Sequence, residues 1–223
     1  TAQARQNQGV VVGAQSVVGI ANMAVGAIKD LAGNILQPNR FDGSTAFALF
    51  MGSGFDFGDA PAVYPVLKAD NGARHEIVEG FLLGNTVFST VDGRPSDDAD
   101  SDPGDDGVVL SILTAAYKTP IGVIATGITA ERPGFLDAWI DFNGDGDWKD
   151  PGEQIFDTEP LVEGLNSFSG GSAVLVPGDA VVGTTFARFR FSSSGGLAPT
   201  GEAGDGEVED YQVTINANPW HNP

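Results

Sequence analysis

Residues 141–153 alternate oxygen-bearing side chains with glycine and bulky residues, in the order Asp-Phe-Asn-Gly-Asp-Gly-Asp-Trp-Lys-Asp-Pro-Gly-Glu. Ca²⁺ binds about six to eight oxygen ligands, and this spacing is close to that of the EF-hand loop. Gly146 stands where such a loop turns sharply, whereas the glutamate comes one position later than in the EF-hand. We therefore predict a calcium site. Its ligands are expected to be Asp141, Asn143, Asp145, Asp147 and Glu153.

The residues before this loop predict a β-scaffold rather than a helix-flanked sensor. Residues 135–140 alternate as a strand does, and no long helical pattern flanks the loop. The alternative to metal binding is a turn in which the Asp and Asn side chains hydrogen-bond to their own backbone, as these residues readily do.

Composition and length favour an all-β fold. Of 223 residues, 41% are hydrophobic, so a core can be buried, and 31 glycines and 13 prolines punctuate short β-branched runs. This pattern predicts an antiparallel β-sandwich, jelly-roll or immunoglobulin-like, over residues 41–216. The predicted strands span residues 45–51, 80–88, 107–113, 121–130, 135–142, 172–176, 184–191 and 208–215.

The predicted strand at residues 184–191 has two different faces. Ala187, Phe189 and Phe191 alternate with Arg188 and Arg190, which predicts one core-facing surface and one basic, polar surface. We expect the two arginines to pair with nearby carboxylates.

Charge and cysteine content exclude several classes of protein. The whole chain has a formal net charge of −19, and the negative charge is concentrated in residues 56–223, which contain 28 acidic and eight basic side chains. This sign is opposite to the one that nucleic-acid binding requires, and such self-repulsion destabilises a compact fold unless cations neutralise part of it. The absence of cysteine excludes disulfides and thiolate metal sites. No apolar run reaches about 18 residues, so no transmembrane helix is predicted.

Residues 1–40 are apolar and nearly uncharged, unlike the remainder of the chain. A β-branched run at residues 9–20 favours a strand, whereas the later apolar spacing is compatible with strands or a short helix. Such an arm must place its apolar face on its own domain or on a neighbouring subunit. We predict that it mediates self-association and that residues 217–223 form a tail.

A second concentration of acidic side chains occupies residues 97–106, with six carboxylates in ten residues. Most charge runs are solvated loops. Because a predicted strand follows directly, Asp105 and Asp106 are expected to hold fixed positions and to be ligand candidates. The four carboxylates before them, which include Asp102, are expected to be mostly solvated.

The hexapeptide at residues 206–211, Gly-Glu-Val-Glu-Asp-Tyr, resembles the signature of the GEVED domain, a module of large secreted and cell-surface bacterial proteins. Further segments resemble the family in the same order along the chain. They are residues 56–61, 64–65, 104–108, 139–143, 152–153, 187–190 and 199–201. The resemblance covers residues 55–216, leaves the N-terminal arm uncovered, and implies a calcium-stabilised β-sandwich in proteins with adhesive or anchoring domains. It does not imply an enzyme.

The acidic motifs of this resemblance lie at the beginning, middle and end of the domain. First and last strands of an antiparallel sandwich often neighbour each other, so we hypothesise that some of these carboxylates share a second Ca²⁺. The alternative is that they cap turns and pair with Arg188 or Arg190. The candidates are Asp56, Asp59, Asp105, Asp106, Glu207, Glu209 and Asp210.

These observations favour a non-enzymatic, extracellular structural or adhesive module that Ca²⁺ stabilises. In this interpretation the N-terminal arm builds a surface fibre by adding a strand to a neighbour's sheet. The alternative is a calcium-dependent module that binds cell-surface glycans through Trp139, Trp148, Tyr64 or Tyr117. An enzyme is disfavoured because no nucleophile–base arrangement is recognisable, and His75 is expected to be a hydrogen-bonded structural residue.

Overall fold

The computed structural model describes residues 54–220 and, for the backbone alone, two short strands, β1 (Val17–Val18) and β2 (Phe47–Ala48). The chain divides into two compact units, Thr1–Gly52 and Ser53–Pro223, whereas the predicted boundary followed residue 40. Within the first unit, β1 and β2 pair antiparallel. The other residues of the predicted arm, and of the strand predicted at 45–51, lie outside the described residues.

The second unit is built almost entirely from strands. They are β3 (Phe55–Phe57), β4 (Arg74–Glu76), β5 (Leu82–Leu83), β6 (Val108–Leu110), β7 (Leu113–Thr114), β8 (Lys118–Thr119), β9 (Ile121–Thr126), β10 (Gly134–Ile140), β11 (Gln154–Leu161), β12 (Gly164–Phe168), β13 (Val174–Leu175), β14 (Gly183–Ser192), β15 (Glu202–Ala203) and β16 (Glu207–Asn216). Short 3₁₀ helices span Lys68–Asp70 and Gly170–Ser172. No helix among the described residues is long and apolar enough to cross a membrane.

Two main sheets form a sandwich. The first has the strand order β11-β10-β14-β16-β7, and the second has the order β12-β9-β5, with β6 also paired to β9. Most pairings are antiparallel; β7 joins β16, and β15 joins β4, in parallel. The prediction of an all-β sandwich is therefore confirmed.

Alternation along the strands produces the core between these sheets. Ala187, Phe189 and Phe191 of β14 are fully buried and meet the buried side chains Ile121 and Val123 of β9 in the same cluster. Successive side chains of a strand point to opposite faces, so every second residue reaches this core. The predicted core face of β14 is confirmed.

The opposite face of the first sheet is also covered, by the segment that follows β3. Tyr64 and Val66 from this segment form a second buried cluster with Trp139 of β10 and with Trp148. Arg188 and Arg190, which form the basic face of β14, are therefore buried by the residues around them and are not exposed to solvent.

Candidate metal centre

The loop after β10 is anchored by Asp141, which is fully buried. Its Oδ1 accepts the backbone N–H of Gly144 at 2.6 Å, and its Oδ2 accepts the N–H of Gly146 at 3.0 Å and the hydroxyl of Tyr64 at 2.7 Å. Burial, together with the hydrogen bond to this carboxylate, raises the pKa of Tyr64 and keeps its hydroxyl a donor. Asp141 therefore fixes the shape of the loop with both of its oxygens.

Glu153 closes the other end of the loop in the same way. One carboxylate oxygen accepts the N–H of Phe142 at 3.2 Å, and the other accepts the N–H of Asp150 at 3.1 Å. Burial, with smaller contributions from the charges of Asp141 and Asp150, raises the pKa of Glu153 to about 7.

Between these anchors, the alternating side chains form successive turns. Asn143 Oδ1 accepts the N–H of Asp145 at 3.0 Å, and Asp145 Oδ1 accepts the N–H of Asp147 at 3.1 Å. Asp147 Oδ1 then accepts the N–H of Lys149 at 2.8 Å. Each side chain caps the backbone two residues further on, as the alternative interpretation predicted, and each aspartate keeps a second oxygen that points elsewhere.

Three carboxylates of the loop converge at its surface. Oxygen atoms of Asp145, Asp147 and Asp150 all lie within 4.8 Å of one another. The amide of Asn143 donates to Asp145 at 3.3 Å and to Asp150 at 2.9 Å, which places it beside the cluster. The amine of Lys149 lies 3.9 Å from Asp147 and is largely exposed. A set of hard oxygen donors with more negative than positive charge fits a divalent cation such as Ca²⁺.

This geometry divides the predicted ligands into two groups. Asp145, Asp147 and the neighbouring Asn143 lie at the converging cluster. The carboxylate oxygens of Asp141 and Glu153 instead accept hydrogen bonds from backbone N–H groups of the loop. Sequence reasoning missed Asp150, although it is the next carboxylate after Asp147 in the same loop. A cleft of about 250 Å³ beside the loop is lined by Asn143, Asp150 and Glu153, and also by Asp179 from a distant part of the chain.

The tryptophans that the glycan-binding alternative named are buried. Trp139 and Trp148 are 3% and 2% exposed, and Tyr64 stacks on Trp148 with ring centroids 4.3 Å apart. Their ring faces pack within the protein, so they present no platform to a sugar. Tyr117, the fourth aromatic residue considered, is 53% exposed.

The second set of predicted ligands lies along an open edge of β16. One edge of this strand pairs with β14 over residues 207–215, whereas β7 covers the other edge at Ile215 and Asn216. The N–H of Val208 donates to Asp56 Oδ2 at 2.7 Å, and the N–H of Asp210 donates to Asp105 Oδ2 at 3.3 Å. Carboxylates thus satisfy backbone donors that would otherwise need a neighbouring strand.

The acidic side chains of β16 themselves reach three other segments. Glu207 accepts the N–H of Leu83 at 2.7 Å, and Glu209 accepts the N–H of Gly107 at 2.7 Å. Asp210 accepts the N–H of Ala60 at 2.8 Å. The beginning and end of the domain are therefore joined by side-chain hydrogen bonds, although β3 and β16 belong to different sheets.

Asp210 also forms the buried ion pair that the sequence predicted. It stands directly opposite Arg188 across the β14–β16 pair, and two guanidinium nitrogens donate to its two oxygens at 2.7 Å each. Both side chains are fully buried. A Cβ atom at Gly58 would collide with both groups, so a glycine is required where the chain crosses this pair.

Arg190 departs from the expectation that it would pair with a carboxylate. Its Nε donates to His75 Nε2 at 3.0 Å, and its other nitrogens donate to backbone carbonyls, including those of Ala198 and Gly201. His75 Nδ1 lies 2.7 Å from the carbonyl of Asp205, which fixes the neutral tautomer. Burial first, and then the charge of Arg190, lower the pKa of His75. His75 is thus hydrogen-bonded and structural, as predicted.

The burial of two acidic residues differs from what the sequence predicted. Asp106 is exposed and accepts the N–H of Asn85 at 2.8 Å, so it stands outside the buried group. Asp102, expected to be solvated, is half-buried and donates its N–H to Asp59. Burial raises the pKa of Asp59 to about 7 and that of Glu209 to about 8. The pKa values of Asp56, Asp105 and Glu207 are raised for the same first reason.

Comparison with known proteins supports the family resemblance over part of the chain. The family model of the GEVED domain matches residues 135–214, from β10 to the last residues of β16. This range contains the loop at 141–153, the arginines of β14 and the acidic residues of β16, and it leaves residues 1–40 uncovered. No curated protein and no solved structure matches the chain.

Proposed function

We propose that this chain, whose residues 135–214 match the GEVED domain, is a non-enzymatic extracellular structural or adhesive module stabilised by Ca²⁺. The observation that carries the proposal is the convergence of Asp145, Asp147 and Asp150 at the surface of the anchored loop. The apolar arm at residues 1–40 is proposed to join each copy of the module to a neighbouring copy.

The loop is suited to a stabilising ion because its backbone is held independently of the converging carboxylates. The buried side chains of Asp141 and Glu153 fix both ends of the loop through hydrogen bonds from its backbone. Asp145, Asp147 and Asp150 then remain close together beside one positive charge, that of Lys149, so their mutual repulsion disfavours the folded loop. A divalent cation removes that repulsion, and it supplies a cross-link to a chain that has no cysteine.

Thermal unfolding of the full chain, with Ca²⁺ and with a chelator, tests this proposal. A ligand that binds only the folded state at about 100 times its Kd adds about 2.7 kcal/mol of stability. For a domain of this size, that corresponds to a rise in Tm of about 5–10 °C. No change in Tm between the two conditions would contradict the proposal.

A matched pair of variants assigns the effect to the loop. Asp147→Asn/Asp150→Asn removes two charges from the cluster and is expected to abolish most of the Ca²⁺-dependent rise in Tm. Asp97→Asn/Asp98→Asn removes two exposed carboxylates from another loop and should leave the rise unchanged. If both variants respond to Ca²⁺ like the wild type, the loop is not the stabilising site.

Self-association is tested by comparing the full chain with a chain that lacks residues 1–40. Addition of a strand to an exposed sheet edge uses backbone hydrogen bonds and an apolar face, and the arm offers the latter. Size-exclusion chromatography and electron microscopy in Ca²⁺ should show assemblies that the truncated chain does not form. Equal particle sizes for the two chains would refute assembly through the arm.

A further inference from the structure

β12 (Gly164–Phe168) is an outer strand of the second sheet, and among the described residues it pairs only with β9. The hydrogen bonds of β9 show which of its residues face β12. Ile124 donates its N–H to the carbonyl of Gly107 at 2.8 Å, and its carbonyl accepts the N–H of Gly84 at 2.9 Å, so its backbone groups point away from β12. Its neighbours along β9 therefore point their backbone groups towards β12, because successive residues of a strand bond to opposite sides.

The same alternation leaves backbone groups of β12 directed outwards. In the antiparallel register Leu165 is opposite Ile124 and Ser167 is opposite Gly122, so both belong to pairs that exchange no hydrogen bonds with β9. Their N–H and C=O groups point away from the sheet, and no backbone group elsewhere in residues 54–220 pairs with them. Two donors and two acceptors thus form an open edge to which a further strand can bond.

The outer edge of the first sheet is protected against such an addition. β11 contains Pro160 and the acidic side chains of Asp157 and Glu159. Thr158 has a φ of +54°, at a point where the register with β10 shifts. Proline, charge and local irregularity are the features that prevent sheet edges from pairing with other chains.

Side chains occupy the far edge of the second sheet. The N–H of Leu83 in β5 donates to Glu207 at 2.7 Å, and the N–H of Val108 in β6 donates to the hydroxyl of Tyr211 at 3.1 Å. β12, by contrast, contains neither a proline nor a charged residue. Of these edges, β12 is therefore the one suited to receive a strand.

An apolar strip on the outer face of the second sheet adjoins this edge. A Cβ atom at Gly122 would lie 3.5 Å from both Leu165 and Val109, which places these two side chains on either side of Gly122. They are 63% and 59% exposed, whereas the outer face of the first sheet is covered by the segment after β3. A strand added to β12 would place alternate side chains beside Leu165 and extend the strip.

We propose that residues 9–16 of a neighbouring copy add to β12 as a further strand, bonded to the backbone of Leu165 and Ser167. This inference rests on the self-association proposed above and names the surface that receives the arm. Residues 9–16 are uncharged and contain three consecutive valines. They precede β1, so the addition leaves the pairing of β1 with β2 in place.

Charge favours the arm over the body of a second copy as the occupant. Residues 1–40 contain three basic side chains and one acidic side chain, whereas residues 56–223 contain 28 acidic and eight basic ones. Two copies of the acidic part repel each other, but the arm approaches that part of another copy with charge of the opposite sign. The arm is therefore the part of the chain best able to reach β12 of a neighbour.

Variants of the full chain at β12, studied by size-exclusion chromatography in Ca²⁺, test the assignment. Ser167→Pro removes an outward N–H that does not bond to β9; proline is tolerated at such positions, so the strand should remain while the assemblies are lost. Leu165→Lys places a charge beside the added strand and should cause the same loss. Leu175→Lys, which replaces a leucine of β13 that is 60% exposed, is the matched control and should assemble like the wild type.

Far-UV circular dichroism and urea unfolding of each variant check that it folds. If Ser167→Pro and Leu165→Lys fold and both assemble like the wild type, β12 is not the acceptor edge.

Disulfide cross-linking identifies the occupant, because the chain contains no cysteine. Full chains with Ser167→Cys are mixed with full chains that carry Val10→Cys, Val11→Cys or Val12→Cys, and are then oxidised. At least one mixture should give a dimer of the two different chains, since paired strands bring Cα atoms within about 5 Å, which a disulfide can span. The absence of a mixed dimer in all three overturns the proposal, as does a dimer formed by Ser167→Cys chains alone, which identifies β12 of a second copy as the occupant.

These experiments separate this inference from the function on which it rests. If the chain without residues 1–40 loses assembly while Ser167→Pro and Leu165→Lys retain it, the arm mediates self-association at another surface, and only the assignment of β12 fails. If the full and truncated chains have equal particle sizes, self-association through the arm fails and the assignment of β12 fails with it.

Discussion

Replacing Arg188 by methionine is expected to destabilise the domain more than any single change at its surface. The guanidinium is fully buried, and it donates to both oxygens of Asp210 and to the carbonyls of Pro65 and Pro199. It also lies 4.4 Å from the ring of Trp148. Methionine keeps the apolar stem but donates no hydrogen bond, so it leaves a buried carboxylate without its cation and two carbonyls without donors.

The expected loss is about 3–5 kcal/mol, the usual cost of removing one partner of a buried ion pair. The free energy of unfolding of an ordinary domain is about 5–15 kcal/mol, so the variant should be only marginally stable. Asp210→Asn in the same chain removes the unpaired charge and is expected to restore part of the loss, because the penalty arises from the uncompensated carboxylate.

Urea unfolding at pH 7 in saturating Ca²⁺, followed by tryptophan fluorescence, measures the free energy of unfolding. Arg74→Met is the control. Arg74 pairs with Glu202 at 2.9 Å, and their side chains are 12% and 53% exposed, so water screens this pair and its loss is expected to cost less than that of the fully buried pair. If Arg188→Met costs no more than Arg74→Met, the reasoning that the ion pair supports this face of the sheet is wrong.

Three other changes probe the anchored loop and the edge of β16. Gly206→Ala should lower the free energy of unfolding in urea by about 1–3 kcal/mol, because Gly206 has a φ of +90° and a Cβ atom there would collide with the backbone of β14. The control is Gly204→Ala, where a Cβ atom meets no other atom, and it should change the free energy of unfolding little. In chelator, stability should fall as the pH rises from about 4.5 to about 8, because burial raises the pKa of Glu209 to about 8 and the folded state then holds a proton that the unfolded state has lost. Glu209→Gln should make this decline shallower, and an unchanged slope would show that Glu209 is ionised in the folded protein. Tyr64→Phe removes the hydrogen bond to Asp141 and should lower the free energy of unfolding by about 1.5–3 kcal/mol, so a loss below about 0.5 kcal/mol would show that the hydroxyl does not hold the loop.

The central strands were predictable because the information that specifies them is local. The predictions at 121–130, 135–142, 184–191 and 208–215 correspond to β9, β10, β14 and β16. Each has large side chains at every second position or a continuous β-branched run, and this pattern follows from the geometry of a strand alone.

β11 and β12, which lie at the outer edges of the two main sheets, were not predicted, because their own side chains carry little of that pattern. β11 contains Pro160 and several exposed polar residues, and it becomes a strand by pairing with β10. A proline is tolerated there since an outer strand has a free edge. β12 likewise depends on β9 for its backbone hydrogen bonds.

The sequence by itself determined the turns of the loop at 141–153 and the alternation of core and arginine positions in β14. In both cases the interacting groups are a few residues apart, so residue type and spacing are sufficient. Only the tertiary structure decided which carboxylates meet. Asp59 reaches Asp102 over 43 residues, and Asp56 reaches Val208 over 152. The family resemblance suggested that acidic residues from the beginning, middle and end of the domain come together, but contacts at such separations depend on how the sheets close, and residue spacing does not specify which individual groups meet.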